Sequence, residues 1–252
     1  MIGQLLRGAG YLLQGFRLMA RPGVRRFVIL PLLINFLLFS LFITLGISQM
    51  DTVLTWLTDR LPDWLQWLQW LLWPLFLVAF LLVGFYLTLL LAGLVAAPFN
   101  GLLAEAVEQP LGTASATGGW RELLAGLAPG LLSELRKLGH FLLRALPLLL
   151  LFLIPGLNLA APFLWLLFSA WMLAMDYLDY PLSNHGWLFP RYRSLLRRHR
   201  WLVLGFGGAA LLLTLVPLLN FLVMPAAVAG GAALAVREGL IDETPPRQQE
   251  QD

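Results

Sequence analysis

The chain has no cysteine and few charged residues, and each shortage excludes a class of protein. Without cysteine it can form neither disulfides nor thiolate metal sites. Asp, Glu, Lys and Arg make up only 12% of the 252 residues, about half of their share in a typical soluble domain. Hydrophobic residues make up 59%. This balance predicts an integral membrane protein, and since no Ser/Gly-rich linker divides the chain, we expect one membrane-embedded domain over residues 1–240.

Signature motifs of enzymes are also absent. The sequence has no GxSxG nucleophile motif, no Walker lysine and no HExxH zinc motif. The glycines of GFGGAA at 205–210 follow no predicted strand, so they do not form a dinucleotide-binding loop. We therefore expect neither an enzyme nor a nucleic-acid-binding protein, and no cofactor or bound metal.

The two ends of the chain carry different signals. The first residues, MIGQLLRGAGYLL, lack a short apolar core followed by a small-residue cleavage site, so we expect no removable signal peptide. The last residues, 241–252, are rich in charged and polar residues and are predicted to be a disordered cytoplasmic tail.

Four long runs without a charged residue organise the chain: residues 27–50, 64–104, 145–175 and 201–236. Each exceeds the roughly 20 residues that cross a bilayer as a helix. The first two are typical of long transmembrane helices. The run at 145–175 is too long for one comfortable span and too short for two full spans, which favours two half-length helices.

The stretch IPGLNLAAPF at 154–163 is the predicted apex of that helix pair. Pro155 lacks a backbone N–H and Gly156 tolerates unusual dihedral angles, so we expect the first half-helix to end there. Pro162 then suits the first turn of the second half-helix. The alternative is a kinked span whose asparagine is satisfied by its own backbone.

The run at 201–236 has a similar centre, VPLLNFLVMP. Pro217 and Asn220 lie three residues apart, as do Pro155 and Asn158. A matching second copy favours two helical hairpins over two kinked spans. Irregular backbone at membrane depth must be buried in protein or line a watery path, because lipid offers its N–H and C=O groups no partner.

Arginine placement predicts the same topology. Residues 191–200 carry five arginines, and the first 26 residues carry five more with no acid. Short cytoplasmic loops are enriched in Lys and Arg. If the run at 145–175 crossed the membrane once, the two arginine groups would lie on opposite sides. If it enters and returns, both face the cytoplasm, so we predict a multi-pass protein with both termini cytoplasmic.

Two further segments have the pattern of interfacial amphipathic helices. The apolar face of the first, at 5–19, consists of Leu5, Ala9, Leu12, Phe16 and Met19. That of the second, at 120–142, consists of Leu131, Leu135, Leu138 and Leu142. The predicted fold is an all-α integral membrane protein with two long transmembrane helices, two re-entrant (hemi-penetrating) helical hairpins and interfacial amphipathic helices. Small residues in GFGGAA and AVAGGAA permit close helix packing within or between subunits.

One segment, DYLDYPLSNHG at 176–186, brings acids near a histidine. Asp176, Asp179 and His185 are typical of a proton-handling or metal group, although acids and a histidine at a membrane boundary more often form a solvated cap. The candidate proton-handling residues are Glu134, Asp176 and His185.

Two classes of function fit these features: a solute-conducting pore, and a non-conducting membrane scaffold or shaping protein. Of the 17 Lys and Arg residues, 16 are arginine, whose planar guanidinium binds two oxygens of an oxyanion at once. A scaffold explains the arginines as anchors to lipid phosphates. It does not explain two asparagine-containing apices. The predicted pore-lining residues are Gly156, Leu157, Asn158 and Asn220.

The residues that carry these features resemble those of the CysZ family of bacterial inner-membrane sulfate permeases. The similar stretches are AAPFN at 96–100, IPGLN at 154–158, FSAWMLAMDYLDYPLSNH at 168–185 and PLLNFLVMPAAVAGGAA at 217–233. The resemblance implies sulfate uptake for cysteine synthesis without nucleotide hydrolysis. It also implies a homo-oligomer in the bacterial inner membrane, with two long helices and two hemi-penetrating hairpins.

The segment ARPGVRRF at 20–27 is the predicted first binding site for sulfate or a similar tetrahedral oxyanion. Pro22 suits the first helical position, which places an arginine at the cap and leaves backbone N–H groups without a side-chain partner. Such a helix start binds anions. The alternative is that its arginines anchor the helix to lipid phosphates; the family resemblance, in which this basic turn is associated with sulfate, favours binding. The predicted sulfate-binding residues are Gly23, Val24, Arg25 and Arg26.

Overall fold

A computed structural model describes residues 1–60, 67, 69–113 and 120–242. Within them the chain forms α-helices and short 3-10 turns, and no strand, so the all-α prediction is confirmed. The α-helices are α1 (Ile2–Met19), α2 (Arg26–Thr58), α3 (Gln69–Glu108), α4 (Trp120–Leu151), α5 (Ala161–Asn184), α6 (Arg191–Arg198), α7 (Arg200–Thr214) and α8 (Pro217–Arg237).

Contacts between residues separate two compact units. Residues 27–99 form the first, which we call the two-helix unit, and residues 1–26 with the chain from 100 onward form the second, the bundle unit. The single domain over 1–240 stays a prediction. The disordered tail over 241–252 also stays a prediction: Leu240 and Ile241 are buried in the bundle unit, and residues 243–252 lie outside the described residues.

The two-helix unit contains α2 and most of α3. α2 has 33 residues and α3 has 40, so each exceeds the roughly 20 residues that a membrane span needs. The rings of Phe42 and Phe80 stack across the helices with their centroids 4.7 Å apart. Most of the large apolar side chains of both helices are exposed, which suits surroundings of lipid rather than water.

The bundle unit is held by helices whose backbones approach closely. α1 packs against α7 and α8, and α5 packs against the same two helices. A Cβ added to Gly15 of α1 would lie 1.9 Å from the carbonyl oxygen of Ala226 in α8. At Gly207 of α7, the same distance separates an added Cβ from the carbonyl oxygen of Ala170 in α5. The prediction that small residues permit close packing is confirmed within one chain.

α1 buries a different face from the one predicted for residues 5–19. Its buried residues are Gly8, Tyr11, Leu12, Gly15 and Leu18. Of the predicted apolar face only Leu12 is fully buried. A pattern of apolar residues does not include the two glycines. They nevertheless determine which face is buried, because only a residue without a side chain fits against the backbone of α7 or α8.

Both late apolar runs are broken, as predicted, but not by two equal copies. Between α4 and α5, residues 152–160 contain Gly156 at φ +87° and a 3-10 turn at Leu157–Leu159. Between α7 and α8 only residues 215–216 are non-helical. Pro217 opens α8 just as Pro162 lies in the first turn of α5, so Pro217 corresponds to Pro162 and not to Pro155.

Helix lengths also differ from those expected of half-length helices. Among the described residues, four helical segments are long and apolar enough to cross a membrane: Arg26–Met50, Trp70–Leu111, Ala161–Asn184 and Leu219–Arg237. α5 continues past the uncharged run to Asn184, which makes it a helix of full spanning length. Re-entrant insertion of the two helix pairs therefore stays a prediction.

Candidate functional site

The predicted sulfate turn at Gly23–Arg26 is a tight turn that precedes α2. The helix begins at Arg26, so the prediction that Pro22 occupies its first position is wrong. The N–H groups of Val24 and Arg25 both donate to the carbonyl oxygen of Arg21, at 3.1 Å each. They are therefore not free to bind an anion, contrary to the prediction. The turn closes on itself because Gly23 lies at φ +90°, a conformation that favours glycine.

Two properties still suit this turn to an anion. A Cβ added to Gly23 meets no described atom within 4 Å, so the space beside its backbone is open. Val24 is buried and anchors the turn, while Arg25 and Arg26 are exposed. The charged donors are thus the guanidinium groups rather than a free helix terminus.

The predicted pore-lining residues lie at or beside the two breaks. Gly156 caps the 3-10 turn that contains Leu157 and Asn158, and the N–H of Asn158 donates to the carbonyl oxygen of Ile154 at 3.0 Å. Asn220 lies in the first turn of α8, where its N–H donates to the carbonyl oxygen of Val216 at 2.9 Å. All four residues are exposed, so both asparagine side chains are accessible.

A charge network joins α4 to α5. The ammonium of Lys137 lies 2.9 Å from Glu134, 3.3 Å from Asp176 and 2.9 Å from Asp179. Burial lowers the pKa of Lys137, but the carboxylates of Asp179 and Asp176 outweigh burial and raise the pKa above its usual range. Lys137 is therefore a fixed positive charge that holds carboxylates from two helices.

This network borders a cavity of about 440 Å³. Glu134, Lys137 and Asp176 supply its polar wall, and Phe141, Met172 and Leu173 supply part of its apolar wall. Of the three predicted proton-handling residues, Glu134 and Asp176 are thus brought together. An ammonium stands at the centre of this cluster, which favours a structural ion-pair network over a cation site.

His185 does not join this cluster. Its Nε2 lies 2.9 Å from Oε2 of Glu108, at the C-terminal end of α3. The Glu108 side chain is fully buried, and its other carboxylate oxygen has no partner among the described residues. Nearby, Nδ2 of Asn184 donates to the carbonyl oxygen of Gly101 at 3.0 Å. The end of α5 is therefore fastened to α3 by two polar contacts.

Sequence reasoning missed Glu108 and Lys137. Glu108 follows an apolar run, and nothing in the sequence places it beside a histidine 77 residues away. Lys137 lies off the apolar face predicted for residues 120–142. Its spacing of three residues from Glu134 was the one signal available, and the partners on α5 follow only from the fold.

α4 turns Ser133 and Lys137 toward protein and several of its leucines outward. Ser133 is buried, and its hydroxyl oxygen accepts a hydrogen bond from the N–H of Phe189 at 2.9 Å. Leu135, Leu138 and Leu142, which belong to the apolar face predicted for this helix, are exposed. Exposed leucines together with a lysine that faces protein are typical of a helix that borders lipid.

A comparison with protein families bears on this arrangement. The family model described as "Sulfate transporter CysZ/Etoposide-induced protein 2.4" matches residues 11–225. The chain belongs to this family.

Individual members are similar along almost the whole chain. A protein of Pseudomonas aeruginosa named sulfate transporter CysZ is 43% identical over 235 residues, covering 92% of this chain and 96% of the relative. Proteins of the same name from Pseudomonas fluorescens and Pectobacterium atrosepticum are 45% and 44% identical, over 93% and 91% of this chain and 94% and 84% of the relatives. The family match covers both units, including the turn at Gly23, both breaks and the network around Lys137.

Proposed function

We propose that this chain carries sulfate across a membrane. The observation that carries the proposal is the identity of 43–45% over more than nine-tenths of the chain to relatives named as sulfate transporters. The protein is a multi-pass membrane protein. We further propose that it imports sulfate across the bacterial inner membrane for cysteine biosynthesis, and that it is a permease rather than an enzyme.

Two features of the chain support transport over a purely structural role. Gly23 and Arg25 combine open space beside the backbone with a guanidinium that can hold two oxygens of a tetrahedral oxyanion. The breaks at 152–160 and 215–216 leave polar asparagine side chains accessible inside runs that are otherwise apolar. In the proposed path, sulfate is captured at Gly23–Arg26 and passes Gly156, Leu157, Asn158 and Asn220.

The energy of import constrains this proposal. Moving a dianion into a cell that is negative inside costs about 4.6 kcal/mol at 100 mV, from roughly 2.3 kcal/mol per charge. Protons that accompany sulfate would offset this cost. Of the predicted proton carriers we favour His185, since Glu134 and Asp176 are already paired with a fixed ammonium, whereas Glu108 beside His185 is buried and has an unpartnered oxygen.

We propose that several copies of the chain assemble. Large apolar side chains at the two breaks are exposed, with 77% of Leu153, 74% of Phe163 and 74% of Phe221 accessible. A second copy of the chain would cover them. We propose membrane lipid as the partner of the exposed apolar side chains that no second copy covers.

The orientation of the chain is open to a labelling test, since it has no natural cysteine. Ser183, near the end of α5, and Ser194, in α6, are both exposed, so each can be replaced by a single cysteine. With cytoplasmic termini and re-entrant hairpins, both label from the cytoplasmic side of oriented vesicles. Labelling of either from the outer face would refute the two-hairpin topology.

The function itself is tested by uptake of radiolabelled sulfate into liposomes that contain only this protein. Uptake should exceed that of protein-free liposomes, and selenate should compete better than chloride. The double variant Arg25→Ala/Arg26→Ala should bind sulfate more weakly in calorimetry while retaining its melting temperature. Uptake at the protein-free level from folded protein would contradict the proposal and favour a scaffold.

A further inference from the structure

A second basic site lies away from the proposed sulfate turn. A cavity of about 630 Å³ opens among α4, α5, α6 and α7 of the bundle unit. Arg144, Arg193, Arg197 and Arg200 line it together with His140, and the described lining contains no acidic residue. None of these four arginines forms an ion pair with a described carboxylate. The cavity therefore concentrates positive charge that no described carboxylate neutralises.

The basic side chains of the cavity lie close together. An Nη of Arg144 is hydrogen-bonded to Nδ1 of His140 at 2.6 Å. Burial, followed by the charges of Arg193 and Arg144, lowers the pKa of His140 to about 4. Burial, then Arg144 and Arg197, lowers the pKa of Arg193 in the same way. The guanidinium groups of Arg144, Arg193 and Arg197 therefore repel one another, and an anion bound among them would relieve that repulsion.

Charged and apolar walls of the cavity are segregated. Along α4, Arg144 is followed one turn later by Leu148, which lies inside an uncharged run; along α7, Arg200 is followed by Leu204 in the same manner. The α5 wall is wholly apolar and consists of Leu164, Leu167, Phe168 and Trp171. The arginines thus stand at the edge of the apolar runs, and the leucines continue into them.

We propose that this cavity binds an anionic phospholipid, with its phosphate among the arginines and the start of its acyl chains against the α5 wall. A small free oxyanion would use the arginines and leave the apolar wall uncovered. A phospholipid fills both, and basic pockets between membrane helices are suited to anionic head groups. The site would fasten α6, which carries Arg193 and Arg197, to the membrane surface.

The test is native mass spectrometry of delipidated protein titrated with phosphatidylglycerol or with phosphatidylcholine of the same acyl chains. Phosphatidylglycerol should bind with at least about tenfold higher affinity, in line with the attraction of surface arginines to anionic lipid. Arg193→Gln/Arg197→Gln should lose this preference. The matched control Arg136→Gln/Arg191→Gln removes the same charge from exposed positions of α4 and α6 outside the cavity and should retain it.

A second pair of variants separates lipid from a free oxyanion. Leu167→Asn changes only the apolar wall and should weaken the binding of phosphatidylglycerol. Arg193→Lys/Arg197→Lys keeps the positive charge and should preserve most of the preference for phosphatidylglycerol over phosphatidylcholine. Equal binding of the two lipids, or equal loss in the matched control, overturns the proposal. A third result would also overturn it: inorganic sulfate or phosphate displaces the lipid, and binding of that anion requires Arg193 and Arg197 but is unchanged by Leu167→Asn. None of these readouts requires sulfate uptake.

Discussion

The two units have similar apolar helices but bury them to different extents. In the spanning window of α2, 11% of the residues are buried, whereas in that of α8 the share is 61%. The difference lies in side-chain size: α8 contains AAVAGGAA, whereas Phe and Leu supply 13 of the 33 residues of α2. In lipid, helices associate through close packing of small residues rather than through apolarity.

Glycines show the same contrast at atomic distance. A Cβ at Gly207 or Gly15 of the bundle unit would meet a backbone carbonyl oxygen of another helix. A Cβ at Gly46 of the two-helix unit would lie 2.0 Å from the ring of Phe80, the far end of a side chain. A ring can rotate away, but a helix backbone can move only if the whole helix shifts. The bundle unit is therefore the less tolerant of the two.

The largest effect is expected from Gly207→Ala. It should lower the free energy of unfolding in detergent by about 3 kcal/mol, the upper part of the usual range for overpacking, because α5 and α7 must separate. Gly46→Ala should cost about 1 kcal/mol. Gly93→Ala, in α3, adds a Cβ where no described atom lies within 4 Å and should be neutral or stabilising. Equal losses for Gly207→Ala and Gly46→Ala would remove the distinction between the units.

The next effect concerns the charge network, which belongs to the bundle unit alone. Lys137→Met leaves Asp176 and Asp179 without their cation and should cost about 2 kcal/mol, less than for a fully buried pair, because half of the Asp176 side chain is exposed. The double variant Lys137→Met/Asp179→Leu should recover part of this loss in denaturant unfolding. No recovery would show that Lys137 acts through packing rather than through charge.

Sequence alone predicted the all-α class, the two long helices and the places where the late apolar runs break. Length, composition and the positions of Pro155, Gly156 and Pro217 contain that information, since they act on the local backbone. The buried face of α1 was not predictable in this way, because Gly8 and Gly15 define it through the partner helices.

In the candidate site too, local features were predictable from the sequence, whereas contacts between distant segments were not. The open space beside Gly23 followed from the identity of the residue, but the start of α2 was placed four residues too early because a proline in a turn has the same local signature as a proline at a helix start. Lys137 with Asp179, and Glu108 with His185, are contacts between distant segments. No pattern within one segment reveals them.

A smaller effect is expected where α1 meets the end of α8. The hydroxyl of Tyr11 donates to Oε1 of Glu238 at 2.8 Å, and Arg7 pairs with the other carboxylate oxygen. Tyr11→Phe removes one hydrogen bond and should cost about 1 kcal/mol in the free energy of unfolding. Arg7→Gln, at an exposed position, should cost less. A larger loss for Arg7→Gln than for Tyr11→Phe would reverse this assignment.

The smallest effect is a dependence of stability on pH. Because the pKa of His140 is lowered to about 4 by burial and by Arg193 and Arg144, the unfolded chain binds more protons than the folded chain between pH 4 and the ordinary histidine value of about 6.5. Stability in zwitterionic detergent should fall as pH falls through this window. His140→Gln should remove that component, measured as the slope of the unfolding midpoint against pH. An unchanged slope would show that the pH dependence of stability does not originate at His140.

The central claim is that sulfate passes the break at 152–160, and a single cysteine at Asn158 tests it most directly. Because the chain has no other cysteine, a thiol reagent modifies only this position. Sulfate uptake into liposomes should be present with Asn158→Cys and should be lost after modification with a bulky reagent. Leu135→Cys, on the exposed face of α4, should keep its uptake after the same treatment. Full modification of the cysteine at 158 with undiminished uptake would contradict the account.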